Sequence, residues 1–240
     1  MSRLMPSVSR RSKPYKEDNN YNHLKANDMI KAEVTITGTI SRSAAVRTDK
    51  KSNPYLSFLM AVKLKDEKQT SKTIDVFVSH SNAQQSDIAV FAEGQRVQVT
   101  GTMDIRKKSD QLVFFLTANS ITTVNVAGLD SVSGTMQFRG HLKKDNIYEE
   151  KTDKNGNSYL VFSAYSSEKV GEEFVSTWVN FMRFPEKDAG IDSIKPSWMT
   201  AKAHVSITGD LQITSYDGTL RLACRVREMN EYVKPEYPQQ

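Results

Sequence analysis

The feature that most constrains this chain is that its sequence repeats. Residues 96–105 read RVQVTGTMDI, and 108 positions later residues 204–213 read HVSITGDLQI. In both segments apolar residues alternate with polar ones, the period of a half-buried strand, and a glycine interrupts the strand at the same place. Four further blocks match in the same order, at offsets of 102 to 108 positions: 35–40 with 137–142, 51–60 with 155–164, 73–77 with 177–181, and 111–118 with 219–226. Because the offset changes only between strand-like blocks, where loops absorb insertions, we infer two copies of one domain.

The repeat sets the expected domain boundaries. We expect domain 1 at 29–124, a linker at 125–131 and domain 2 at 132–233. Residues 1–28 lack strand or helix periodicity and are rich in Ser, Asn and basic residues, so they are expected to form a disordered basic N-terminal tail. Residues 234–240 are expected to be an unstructured C-terminal tail.

Each copy contains five strand-like runs, which in the first copy lie at 33–40, 55–64, 73–79, 96–105 and 111–118. The segment 81–94, between the third and fourth runs, favours a short helix, and Pro196 would end any helix in its counterpart 185–202. Asp217-Gly218 is a strong hairpin-turn signal. Sandwich domains have about seven strands, so five strands per copy argue against a sandwich. The sequence therefore predicts an all-β chain of two tandem five-stranded OB-fold barrels, each with a short helix or loop between strands 3 and 4.

Composition argues against several classes of protein. A single cysteine, Cys224, excludes an intramolecular disulfide and a thiolate-rich zinc site, and its alternation with Leu220 and Leu222 predicts burial. There is no apolar run of 18 residues and no hydrophobic signal core, so we expect no membrane association and a cytoplasmic location, in a bacterial or phage-infected cell. No hydrolase or phosphate-loop motif is present, and the four histidines have no metal-ligand spacing: His23, His80, His141 and His204. We expect a binding protein without cofactor or metal, and not an enzyme.

The net charge of +5 is unevenly distributed. Residues 1–29 carry six Lys and Arg against three acids, residues 30–124 thirteen against nine, and residues 132–233 thirteen against fourteen. A basic tail beside a basic domain favours a polyanionic partner.

Strand periodicity also predicts which side chains of domain 2 face outward. In YLVFSAYS (159–166), burial of Leu160, Phe162 and Ala164 leaves the alternate residues outside, and in the next strand burial of Val179 and Phe181 does the same. The exposed residues of the first strand then include Tyr159 and Tyr165. Those of the second include Trp178 and Phe184, with Asn180 between them. Single-stranded nucleic acids bind to surfaces that combine exposed aromatic faces with basic side chains. Exposed aromatics can equally form a protein–protein interface.

Basic side chains are predicted near this surface and on domain 1. Burial of the alternate residues of the last strand exposes a stripe of Arg221, Arg225 and Arg227, which can bind phosphates and stack on bases. Candidate nucleic-acid-binding residues elsewhere lie at loops and hairpins: Tyr216 in domain 2, and Lys50, Lys51, Tyr55, Arg106, Lys107 and Lys108 in domain 1.

Two segments of domain 2 resemble the bacterial-type single-stranded DNA-binding proteins. The segment STWVNFMRF (176–184) is similar to that family's third strand, which has a Trp and an aromatic residue six positions later. The segment KAHVSITGDL (202–211) is similar to its fourth strand, V-x-I-x-G-x-L. The resemblance implies that Trp178 and Phe184 stack on bases and that Asn180 stands where the family often has a basic residue. It implies sequence-independent binding and protection of single-stranded DNA in replication, recombination or repair.

The chain departs from that family in three ways. In domain 1 the aligned positions hold Ile74 and His80, so the stacking pair is predicted to be missing there. The end of the sequence, EYPQQ, is not the family's acidic tip, so recruitment of replication or recombination proteins by that route is in doubt. Four barrels, the family's usual number, would make this chain a homodimer; otherwise it acts as a monomer. Two rivals remain open, an RNA-binding OB protein and an OB assembly protein whose aromatics form an interface.

Overall fold

The computed structural model describes residues 29–64, 72–81, 85–123 and 125–233, so both predicted tails lie outside the described residues. These residues form strands and two short 3₁₀ helices. The strands are β1 (Met29–Thr48), β2 (Pro54–Leu64), β3 (Lys72–Ser81), β4 (Arg96–Lys108), β5 (Gln111–Thr122), β6 (Ser131–Leu142), β7 (Tyr148–Thr152), β8 (Ser158–Val170), β9 (Glu173–Arg183), β10 (His204–Tyr216) and β11 (Thr219–Glu231). No helix in the described part of the chain is long and apolar enough to cross a membrane.

Strands β1 to β5 close into a barrel. The long strand β1 pairs with β4 through its first half and with β2 through its second half, in both cases antiparallel. Strand β2 pairs with β3, β3 runs parallel to β5, and β5 returns to β4. This circuit, 1-2-3-5-4-1, is the closed five-stranded Greek-key arrangement of an OB fold. The 3₁₀ helix Gln85–Val90 lies between the third and fourth strands, as predicted.

The second barrel repeats this circuit with its first strand divided in two. Strand β6 pairs with β10 and, at its end, with β8, while β7 pairs with the first five residues of β8. Strand β8 pairs with β9, β9 runs parallel to β11, and β11 returns to β10. The break at 143–147 is the one departure from the predicted five strands. The 3₁₀ helix Ile191–Ile194 ends before Pro196, as expected.

The two glycines of the repeated segment have the same structural role. Each follows a register shift between its own strand and the next, at Gly101 and at Gly209. A Cβ atom would lie 2.1 Å from the Thr117 carbonyl oxygen at the first glycine and 2.1 Å from the Arg225 carbonyl oxygen at the second. The chain repeats its sequence here because both barrels need the backbones of the fourth and fifth strands to approach closely at a bulge.

A continuous antiparallel seam joins the two barrels. Strand β1 pairs with β6 from Met29 opposite Arg139 to Thr37 opposite Ser131. The central pair, Glu33 and Thr135, is 102 positions apart, the same offset that separates the matching strands β1 and β6 in the repeat. Equivalent residues lie opposite each other only at this pair. On either side of it the pairing is reciprocal: Met29 lies opposite Arg139, the equivalent of Thr37, and Thr37 lies opposite Ser131, the equivalent of Met29. The barrels are therefore related by an approximate twofold axis through this pair. The tandem arrangement is thus an internal pair of barrels joined in one sheet.

Polar contacts reinforce the seam. Asp130, which precedes β6, accepts hydrogen bonds from Arg96 Nη1 at 2.6 Å and from the Lys63 backbone N–H at 2.8 Å. Arg106 in the β4–β5 hairpin forms an ion pair of 3.0 Å with Glu168 of β8. In the other direction, Lys72 at the start of β3 donates to the Gly218 carbonyl in the β10–β11 hairpin. The β4–β5 hairpin of barrel 1 thus contacts β8 of barrel 2, and the β10–β11 hairpin of barrel 2 contacts β3 of barrel 1.

The predicted alignment of the third strands is wrong by one residue. Val76 pairs with Phe114, and Val179 pairs with Leu222. Because Phe114 and Leu222 are equivalent at the offset of 108, Val76 and Val179 are equivalent too, and the offset in this strand is 103, not 104.

This slip reverses the predicted orientation of the strand, because successive side chains point to opposite faces. Ile74 is buried, at 3% exposure, and Asp75 occupies the position of Trp178. The position of Phe184 corresponds to Ser81 and not to His80.

Candidate nucleic-acid interface

The outer face of β8, β9 and β11 gathers the aromatic residues predicted from the sequence. The burial of Leu160, Phe162, Ala164, Val179 and Phe181 confirms the predicted alternation. Outward from this core lie four aromatic side chains in two cross-strand pairs. Tyr159 and Phe184 stack with centroids 4.7 Å apart and an interplanar angle of 15°, and Tyr165 tilts against Trp178 at 5.0 Å. Trp178 is 51% exposed, so about half of its surface remains open to a ligand.

Asn180 lies between the two aromatic pairs. It is exposed, and its Oδ1 accepts a hydrogen bond from Ser163 Oγ at 2.8 Å on the neighbouring strand. The side-chain amide group of Asn180 therefore has a fixed orientation on this face, with its nitrogen placed to donate.

Two of the three predicted arginines flank the rings. The guanidinium of Arg225 lies 4.9 Å from the centre of the Phe184 ring, and that of Arg221 lies 4.4 Å from the centre of the Tyr216 ring. Arg227 is different because it forms an ion pair with Asp210. We call the first two arginines and the rings around them the aromatic–arginine surface: Tyr159, Tyr165, Trp178, Phe184, Tyr216, Arg221 and Arg225. Planar guanidinium groups beside aromatic faces can bind phosphates while bases stack on the rings.

The loops between first and second strands form the same turn in both barrels. Asp49 accepts hydrogen bonds from the backbone N–H groups of Lys51 and Asn53, both at 2.8 Å, and Asp153 makes the equivalent bonds in barrel 2. These turns are 104 residues apart. Hydrogen bonds from the side chain and backbone of Asn53 lower the pKa of Asp49, which therefore stays ionised. The turn holds Lys50 and Lys51 exposed at the rim of barrel 1, next to the half-buried Tyr55.

The basic β4–β5 hairpin is more engaged than the sequence suggests. Arg106 is ion-paired with Glu168 of the other barrel, and Lys107 Nζ lies 2.9 Å from the Asp110 carboxylate in its own turn. Lys108 is exposed at the end of β4. The geometry therefore gives Arg106 a part in joining the barrels, and this hairpin contributes less open positive charge than its composition predicts.

Besides Tyr148 on β7, three exposed aromatic residues of the described ranges were not predicted from the sequence. Phe174 is 73% exposed and lies on β9, on the same face as Trp178. In barrel 1, Phe77 and Phe115 are each 41% exposed and stack on each other with centroids 5.5 Å apart. Strict alternation from the buried Val76 would have placed Phe77 outside. The misaligned third strand instead matched it with a buried phenylalanine.

Cys224 lies beneath this face, not on it. It is buried on the inner side of β11, and its burial, together with the nearby Asp210 carboxylate, raises the pKa of the thiol to about 12. In the described ranges, no group of three or more His, Cys, Asp or Glu residues could hold a metal ion. The described site therefore consists of stacking rings, amides and guanidinium groups.

No family of known proteins has a profile that matches this chain, and no curated protein matches its sequence. Among solved structures, it is similar to the single-stranded DNA-binding protein from Thermus aquaticus, with 12% identity over 90% of this chain and 98% of that one and a TM-score of 0.43. It is similar to the small single-stranded DNA-binding protein from Streptomyces coelicolor, with 20% identity over 42% and 97% and a TM-score of 0.32. It is also similar to priB from Ralstonia solanacearum, with 13% identity over 38% and 97% and a TM-score of 0.29. The assignment of two OB barrels rests on the strand pairings of this chain itself.

Proposed function

We propose that this protein binds single-stranded DNA with little sequence preference and protects it during replication, recombination or repair, in the cytoplasm of a bacterial or phage-infected cell. The observation that carries the proposal is the aromatic–arginine surface on β8, β9 and β11. Aromatic faces accept any base because every base has a π face, and guanidinium groups accept the phosphates between the bases. This surface is also the one that OB folds use for oligonucleotides.

Single strands are favoured over a duplex on steric and chemical grounds. Stacking on Trp178 or Phe184 requires an unpaired base whose face is free, and a base inside a duplex already stacks on its neighbours. The rings supply contact that is insensitive to salt, while Arg221 and Arg225 supply contact that weakens as salt rises.

The test is an anisotropy titration of fluorescent oligonucleotides against the full chain at several salt concentrations. We expect binding to single-stranded DNA far tighter than to duplex, with the logarithm of affinity falling by about 0.7 per phosphate contact for each tenfold rise in salt. Trp178→Ala should weaken binding by about five- to a hundred-fold, since a base stacked on an aromatic ring contributes roughly 1–3 kcal/mol.

The chain contains a matched control for the loss of an aromatic ring. Tyr148 on β7 is 37% exposed and pairs with Phe162 on β8. Paired residues point to the same side of a sheet, so Tyr148 lies on the side of the buried Phe162, opposite to that of Trp178. Tyr148→Ala should therefore leave affinity unchanged. Equal affinity for duplex and single strand, or equal effects of the two substitutions, would refute the proposal. A preference for single-stranded RNA over DNA would redirect it to RNA.

The oligomeric state, a homodimer or a monomer, also belongs to this proposal. The seam between β1 and β6 already supplies two barrels in one chain, so a monomer offers the binding surface of a two-barrel unit. Light scattering with and without oligonucleotide distinguishes a monomer from the homodimer that four barrels per assembly would require.

A further inference from the structure

Barrel 1 has an exposed aromatic pair of its own. Phe77 on β3 and Phe115 on β5 lie opposite each other in register, with their rings 24° from parallel. By the offsets of the third and fifth strands, the equivalent residues in barrel 2 are Asn180 and Ala223. The pair therefore occupies the centre of the same outer face, at positions where barrel 2 has no ring.

Apolar and acidic side chains lie directly beside this pair. Leu59 on β2 lies opposite Phe77, and Asp104 on β4, which forms an ion pair of 3.8 Å with Lys31, lies opposite Phe115. Asp75 is exposed two residues before Phe77 on the same face. Carboxylates beside the rings disfavour a phosphate at this point, so a nucleic acid would place a base here and keep its backbone at the rim.

The strand that carries Phe77 begins beside the β10–β11 hairpin of barrel 2. The β10–β11 hairpin carries Tyr216 and Arg221 and reaches barrel 1, where Gly218 accepts a hydrogen bond from Lys72 at the start of β3. Phe77 is five residues further along that strand, or roughly 17 Å at about 3.3 Å per residue. By strand alternation Lys72 points to the opposite side of β3 from Phe77, so the hairpin reaches the end of β3 and not its outer face. A single strand of nucleic acid that leaves Tyr216 would pass round this end of β3 to reach the pair.

We propose that Phe77 and Phe115 form a second base-stacking platform, which a single strand occupies after crossing the β10–β11 hairpin. This inference rests on the proposed function and adds to it that both barrels stack bases, at different places on their common face. Base stacking is then not confined to barrel 2. The second platform contributes affinity only to strands long enough to reach it.

The test compares two oligonucleotide lengths and two kinds of substitution. An oligonucleotide of about 8 nucleotides falls within the range of about 4–16 that one OB fold covers, whereas one of about 30 spans two. Phe77→Leu and Phe115→Leu keep an apolar side chain but remove the flat ring, and Phe77→Tyr keeps the ring. We expect the two leucine variants to bind the long oligonucleotide about five- to a hundred-fold more weakly, with an unchanged salt slope, and to bind the short one normally. Phe77→Tyr should bind both lengths as the unsubstituted chain does.

The outcomes separate this inference from the proposed function. If the leucine variants bind the long strand normally while Trp178→Ala weakens binding, the second platform is refuted and the proposed function stands. If Trp178→Ala also has no effect, the proposed function fails as well. If the leucine variants instead change the mass measured by light scattering, Phe77 and Phe115 belong to an interface between chains, and the platform is again refuted. Far-UV circular dichroism, which reports the strands of both barrels, shows whether the variants are folded, because normal binding of the short strand reports barrel 2 alone.

Discussion

The seam between the barrels makes a quantitative prediction at Gly134. A Cβ atom there would lie 2.1 Å from the Glu33 carbonyl oxygen, and ordinary contacts begin at 3.4 Å, so Gly134→Ala requires the strands to separate locally by about 1.3 Å, the difference between the two. A hydrogen bond of about 2.9 Å stretched by that amount is lost. Losing two or three backbone hydrogen bonds at about 0.5–1.5 kcal/mol each weakens the seam by about 1–4 kcal/mol.

Urea denaturation followed by two signals measures this effect. Both tryptophans, Trp178 and Trp198, lie in barrel 2, whereas far-UV circular dichroism reports the strands of both barrels. We expect the two signals to change together in the unsubstituted chain, because the seam couples the barrels. In Gly134→Ala they should separate, because each barrel keeps its own closed circuit of strands while the coupling between them is weakened.

Gly190→Ala is the matched control. Gly190 has a φ of −75°, and a Cβ atom there would have no neighbour within 4 Å, so alanine should be tolerated or slightly stabilising. The reasoning is refuted if Gly134→Ala unfolds at the same urea concentration as the unsubstituted chain and its two signals still coincide.

Three further predictions concern a turn, the thiol and the tail. Ser52 (φ 65°) and Gly156 (φ 86°) occupy equivalent positions of the repeated turn, in a conformation that favours glycine. Ser52→Gly should therefore raise the free energy of unfolding, and Gly156→Ser should lower it, each by about 1 kcal/mol. Effects of the same sign would contradict this. Because burial raises the pKa of the Cys224 thiol to about 12, Ellman's reagent at pH 8 should label it only after unfolding, and rapid labelling of the native chain would mean that β11 opens locally. Deletion of residues 1–25, which lie outside the described structure and include Arg3, Arg10, Arg11, Lys13 and Lys16, should leave the melting temperature unchanged but weaken DNA binding and reduce its salt dependence. If the deletion unfolds barrel 1, the tail has a structural role.

The sequence predicted the parts of the fold that depend on local periodicity. The alternation of Leu160, Phe162 and Ala164 was enough to place Tyr159 and Tyr165 outside, because a strand side chain has only two faces to choose between. The repeated glycines indicated close approach of strands, which the bulges at Gly101 and Gly209 confirm. The five-strand order with a short helix after the third strand then predicted the OB barrel.

Features that depend on pairing between distant strands were not predicted. The alignment of the third strands rested on sequence similarity, which did not detect a one-residue shift that the pairing of Val76 with Phe114 reveals. The shift concealed the platform of Phe77 and Phe115. Likewise, the charge of Arg106 suggested a phosphate contact, but its ion pair with Glu168 forms only because the seam brings the two barrels together. Such long-range contacts leave no local pattern in the sequence.

The central claim is that bases of a single strand stack on Trp178, and tryptophan fluorescence tests it most directly. Trp198 is partly buried against the core, so the variant Trp198→Phe leaves Trp178, which is 51% exposed, as the only tryptophan. Titration of this variant with oligo(dT) should quench most of its fluorescence, saturate at the same concentration as binding measured by anisotropy, and show no quenching with a duplex at equal concentration. If oligo(dT) binds by anisotropy while the emission of Trp178 stays unchanged, bases do not stack there and the account of this surface is wrong.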